Sequence, residues 1–88
     1  MEADRRVGQR EKLIAKMRDT PQSIRFNEVL ALAKHLGLVH RVDGSHYYFT
    51  HSAHPYPIMV QYPHAGRNTV KPTYIRNLIR QLEQAGLL

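Results

Sequence analysis

The chain contains no cysteine, so disulfide staples and thiolate zinc sites are excluded, and a reducing compartment suits it. Nor does it contain an apolar run approaching the ~20 residues needed to cross a bilayer. Its first residues, Met1-Glu2-Ala3-Asp4-Arg5-Arg6, lack the apolar centre of a secretory leader. A cytoplasmic chain with no membrane partner is therefore expected. Acidic residues are scarce: seven Asp and Glu face thirteen Lys and Arg, a formal charge of +6. That imbalance favours polyanionic partners, either nucleic acid or an acidic protein. No internal repeat or low-complexity segment breaks the 88 residues, which suffice for one small core with little to spare.

Helical periodicity appears three times. Residues from Arg6 to Arg18 place Leu13, Ile14 and Met17 on one face and basic residues around the rest, and Pro21 ends the segment by pushing Thr20 out of the α region. In a second helix Asn27 is the expected N-cap, Phe26, Val29, Leu30, Ala33 and Leu36 repeat at helical spacing, and Gly37 follows as the C′ residue. The third opens at Lys71-Pro72, carries the stripe Ile75, Leu78, Ile79 and Leu82, and closes at Gly86.

Between the second and third helices lie three expected strands. Asp43-Gly44 between apolar runs signals a tight hairpin, read as a type I′ turn in which Val42 pairs with Ser45 and Arg41 faces His46. Alternation then puts Leu38, His40, Val42, Ser45, Tyr47 and Phe49 on one face, expected to be core. Val39, Arg41, His46, Tyr48 and Thr50 fall on the other. The stretch His51 to Pro57, with Pro55 and Pro57, is expected to be a loop. Ile58 to Tyr62 reads as the third strand, with Ile58, Val60 and Tyr62 facing the core. The order helix, helix, strand, strand, strand, helix predicts a two-layer α+β sandwich with one sheet face open.

Several of these residues carry a resemblance. Arg25-Phe26-Asn27, Leu36-Gly37-Leu38, Gly44-Ser45-His46-Tyr47-Tyr48-Phe49, His64-x-Gly66 and Val70-Lys71-Pro72 with the closing helix resemble, in order and spacing over residues 24–88, the HicA family of toxin endoribonucleases. The resemblance implies a fold like a double-stranded-RNA-binding domain, α-β-β-β-α. It also implies ribosome-independent cleavage of mRNA, neutralisation by a HicB-type antitoxin, and a catalytic histidine at His46. On this reading the chain is a single domain, 24–88 forming the family core and 1–23 an additional N-terminal helix and linker. The shortest members of the family begin near the second helix.

The residues around His46 suit such chemistry. An imidazole titrating near neutrality can take a proton from a ribose 2′-hydroxyl or give one to a leaving 5′-oxygen, and it can do so without a metal. Arg41 is a candidate for phosphate contact, Ser45 and Tyr48 for hydrogen bonding, and Tyr48 for stacking an unpaired base. His64 and Lys71 join these candidate RNA contacts if the segment after the third strand returns to the same edge. His51-x-x-His54 with His64 raises a metal reading. A zinc site wants about four ligands, though, and neither cysteine nor a nearby carboxylate completes the set, so no metal and no cofactor is expected. Two other roles suit the same composition: a small basic RNA-binding module without chemistry, and an interaction protein whose basic surface meets an acidic partner.

Overall fold

A computed structural model describes residues 8–88, in which three α-helices and a three-stranded antiparallel sheet make an α+β fold. Helix α1 spans Gln9–Asp19, a 3₁₀ turn Pro21–Ser23, α2 Phe26–Leu36, β1 Val39–Asp43, β2 His46–His51, β3 His54–Gln61 and α3 Pro72–Gln84. The expected start of the first helix at Arg6 lies outside the described residues. Leu13 and Met17 of α1 are buried in the same core as α2, α3 and the sheet. Two ion pairs tie that helix down from its other faces, Lys16 to Glu28 of α2 at 2.7 Å and Arg18 to Glu83 of α3 at 2.6 Å.

Helix α2 begins two residues earlier than an Asn27 N-cap would place it. Arg25 occupies the N-cap position, and Asn27 is exposed within the first turn. The cap is reciprocal: the Glu28 carboxylate accepts the Arg25 backbone N–H at 2.8 Å, while the Glu28 N–H donates to the Arg25 carbonyl at 3.0 Å. The carboxylate thus forms the reach-back half of a capping box, while the Arg25 carbonyl takes the N–H that a short N-cap side chain would otherwise accept. Gly37 ends the helix at φ 76°, as expected, and Leu38 N–H reaches back to the Ala33 carbonyl at 2.9 Å.

The sheet order is β1-β2-β3. In the first hairpin Asp43 pairs with His46, Val42 with Tyr47, Arg41 with Tyr48 and His40 with Phe49. The loop is therefore Gly44-Ser45, not Asp43-Gly44. Only Gly44 has positive φ, at 63°, which is the pattern of a type II′ turn rather than type I′. The expected register is off by two residues on the second strand, and a two-residue shift preserves every side chain's face. Hence Phe49 still points into the core and His46 and Tyr48 still point away from it.

Two other expectations do not hold. The stretch from His51 to Pro57 is not a loop: β2 runs to His51, a two-residue turn follows, and β3 starts at His54. Between the pairs Phe49–Ile58 and His51–His54, β2 advances two residues while β3 takes four, so the ladder is irregular across Pro55 and Pro57. Prolines that cannot donate to a ladder are tolerated there because β3 is an edge strand and the missing bonds fall on the irregularity. The core face is also narrower than alternation implied. Strand β1 is exposed along its whole length, including His40 and Val42, since the helices pack over β2 and β3 while β1 rests on β2. Tyr62 is likewise 49 % exposed at the rim.

What remains is a core of Phe49, Ile58 and Val60 from the sheet against Val29, Leu32, Ile75, Leu78 and Leu82 from the helices. Phe26 clamps one end, its ring 4.5 Å from that of Tyr47 and 4.9 Å from that of Tyr62, both edge-on. This aromatic contact pins the start of β2 from below. The backbone that carries His46 and Tyr48 on the opposite face is thereby held in place.

Candidate functional site

His46 is the first residue of the central strand, half-buried, with Asp43 opposite it on β1 and Gln61 opposite it on β3. Directly opposed residues of an antiparallel pair carry Cβ atoms about 5 Å apart on one face, so His46 is flanked by a carboxylate on one side and an amide on the other. Arg41 does not face His46 as the hairpin reading supposed. It faces Tyr48, and its guanidinium carbon lies 4.5 Å over the ring centre, a cation–π pair. The Tyr48 ring is in turn 6.4 Å from that of His46. Imidazole, phenol and guanidinium thus form a continuous row on the sheet face away from the helices.

Ser45 sits in the turn just before His46, and its carbonyl accepts the Tyr62 N–H at 2.7 Å, which ties the hairpin tip to the end of β3. The chain beyond β3 does return to this edge. His64 and Arg67 close a turn through the Arg67 N–H to His64 carbonyl bond at 3.0 Å, with Gly66 at φ 88°, the third-position requirement of a type II turn. That requirement accounts for the spacing His64-x-Gly66. The turn brings the His64 ring to Gln61, Nε2 to Nε2 at 3.1 Å, and the other end of the Gln61 amide accepts the Tyr74 hydroxyl at 2.8 Å. Lys71, at the N-cap of α3, lines the same shallow hollow as His64, together with Arg67 and Tyr74.

Of the residues singled out in the sequence, His46, Arg41 and Tyr48 share one face, with Ser45 at its corner. His64 and Lys71 lie beyond β3 beside Gln61, the residue paired with His46 across the strands. Gln61, Arg67 and Tyr74 escaped sequence reading. The one cue was alternation, which places Gln61 on the face opposite Val60, and nothing in the sequence said that Tyr74, on a helix, would reach over the sheet edge. His51, one of the other histidines, is engaged elsewhere: its Nδ1 accepts the Ala53 N–H at 2.9 Å and so braces its own turn. Among the described residues no three His, Asp or Glu side chains gather in a way that could hold a metal ion, and no helix is long and apolar enough to cross a membrane. Searched against family models, curated proteins and solved structures, the chain matched none.

Proposed function

We propose that the chain is an endoribonuclease of the HicA toxin type, with a fold of the double-stranded-RNA-binding kind, which cuts mRNA without metal through His46 and is silenced by a cognate HicB-type antitoxin. The observation that carries the reading is the row His46, Tyr48, Arg41 on a sheet face that none of the described helices covers, in a chain of net charge +6. It supports the reading because each part answers a need of the reaction. A single-stranded segment requires a flat face with an aromatic ring for a base, and Tyr48 supplies one. Its phosphate requires fixed positive charge, and stacking on Tyr48 holds the Arg41 guanidinium in place.

In the reaction His46 takes the proton of the 2′-hydroxyl as the 2′-oxygen forms its bond to phosphorus, or returns one to the 5′-oxygen as the P–O5′ bond breaks. One imidazole does one of these at a time. The Arg41 guanidinium, held over Tyr48 one step along the row, stabilises the charge that builds on the phosphorane. The test is incubation of the purified chain with RNA in EDTA. Fragments are expected, and His46→Ala should abolish them while RNA binding persists. Binding without cutting by the unaltered chain would instead identify a non-catalytic RNA-binding module.

A further inference from the structure

The sequence raised His64 as a candidate RNA contact without saying which of its atoms would make the contact. The hydrogen bonds around it answer that question. The Tyr74 hydroxyl donates to Gln61 Oε1 at 2.8 Å, which turns the amide nitrogen of Gln61 toward His64 Nε2 at 3.1 Å. An amide NH₂ can only donate, so His64 Nε2 must accept, and the imidazole proton then resides on Nδ1. In that tautomer the ring's one N–H, on Nδ1, is left to donate to a ligand. The same hollow is lined by Arg67 and Lys71, both exposed and cationic, and Gln61 is the cross-strand partner of His46.

We infer that His64, Arg67 and Lys71 form a phosphate-binding subsite next to His46, in which the Nδ1–H of a neutral His64 donates to a non-bridging oxygen of an RNA phosphodiester, and that Gln61 and Tyr74 are positioning residues that set its tautomer. The occupant is the phosphate of a nucleotide flanking the one presented to His46. This deepens the proposed RNA-cleaving reading, yet it concerns binding alone and can be measured where no bond is cut. In this role His64 binds phosphate through Nδ1–H and is not assigned the reaction's second proton transfer.

The experiment uses the ¹⁵N-labelled full chain at pH 8, where an ordinary imidazole is neutral, and a uniformly 2′-O-methylated RNA oligonucleotide, which lacks the attacking hydroxyl. Long-range ¹H–¹⁵N spectra should show His64 protonated on Nδ1, with that nitrogen shifting when the oligonucleotide is added. Tyr74→Phe and Gln61→Leu should each convert the ring to a mixture of tautomers and weaken oligonucleotide binding several-fold. Gln61→Glu, whose carboxylate can only accept, should move the proton to Nε2. His64→Ala should weaken binding about tenfold, the worth of one hydrogen bond to a charged group. Finding the His64 proton on Nε2 in the unaltered chain, or a His64 ring indifferent to saturating oligonucleotide, overturns the inference. Cleavage by the unaltered chain that survives His46→Ala overturns the catalytic reading and leaves the subsite standing.

Discussion

The guanidinium carbon of Arg41 lies 4.5 Å above the ring of Tyr48, across the pair of strands that the Gly44-Ser45 turn joins. The charge and the stacking surface beside His46 are therefore one unit, not two independent contacts. Removing either partner should release the other: the Tyr48 ring keeps Arg41 over the sheet, and Arg41 restricts the ring.

A double-mutant cycle on RNA affinity reads this coupling. Tyr48→Ala should cost about 1–3 kcal/mol of binding through the lost base stack. Arg41→Ala should lower affinity and flatten its dependence on salt by about one phosphate's worth of counterion release. The double variant should lose clearly less than the two single losses combined. Additive losses would show that the ring and the guanidinium contact RNA separately. Arg41→Lys should restore the salt slope without restoring affinity, since an ammonium keeps the charge and loses the planar stack.

Substituting Gly44 tests the turn. At φ 63° an L-residue is strained, and a Cβ at this position would meet nothing within 4 Å. Any cost of Gly44→Ala is thus backbone strain alone, about 1–2 kcal/mol. Urea denaturation should show that loss with an unchanged slope. Replacing Ser45 with Ala, at negative φ, should be nearly neutral for stability, so a large effect there would contradict the assigned turn.

The same hairpin shows what could be read without coordinates. Alternation put His46 and Tyr48 opposite Phe49 correctly because the register error was two residues, the period of the strand. What alternation could not supply was the partner, and so Arg41 was set beside His46 where Asp43 stands. The sequence spoke against a strand through Pro55 and Pro57, and the chain forms one because an edge strand needs only half of its backbone bonds. Val39 is 65 % exposed, as its place on the open face implied, but Val42, expected in the core, is 49 % exposed, since coverage depends on where the helices end and not on the strand itself. Gln61 and Tyr74 are joined across thirteen positions by a bond that no local pattern announces.

Met17 lets the role of α1 be measured. Its side chain is 1 % exposed in the shared core, so Met17→Ala should cost about 2–5 kcal/mol, the range for emptying a buried aliphatic position. A chain shortened to begin at Pro21 should lose more, because Leu13 leaves as well and the surfaces of α2 and α3 beneath them are uncovered. Thermal unfolding followed by circular dichroism settles the point. A shortened chain as stable as the full one would mean that α1 is an appendage.

Glu28 should make stability depend on pH in a direction the structure fixes. Burial pushes its carboxyl up, but the Lys16 ammonium at 2.7 Å, the Arg25 backbone N–H at 2.8 Å and the charges of both residues pull it down, and the net value lies below the ordinary 4.5. A carboxyl depressed in the folded state stabilises fully above its unfolded value and loses that contribution as pH falls through the folded one. Glu28→Gln keeps a capping side chain but removes the charge. It should be about 0.5–1 kcal/mol less stable than the unaltered chain at pH 7, a modest figure because Lys16 is largely exposed. The difference should shrink as the pH drops below about 4.5, where the unaltered carboxyl begins to protonate as well. Denaturation of both proteins at pH 7 and pH 3 measures it. A gap that stayed constant across that range would place the effect in shape or in the cap's hydrogen bond rather than in the Glu28–Lys16 charge pair.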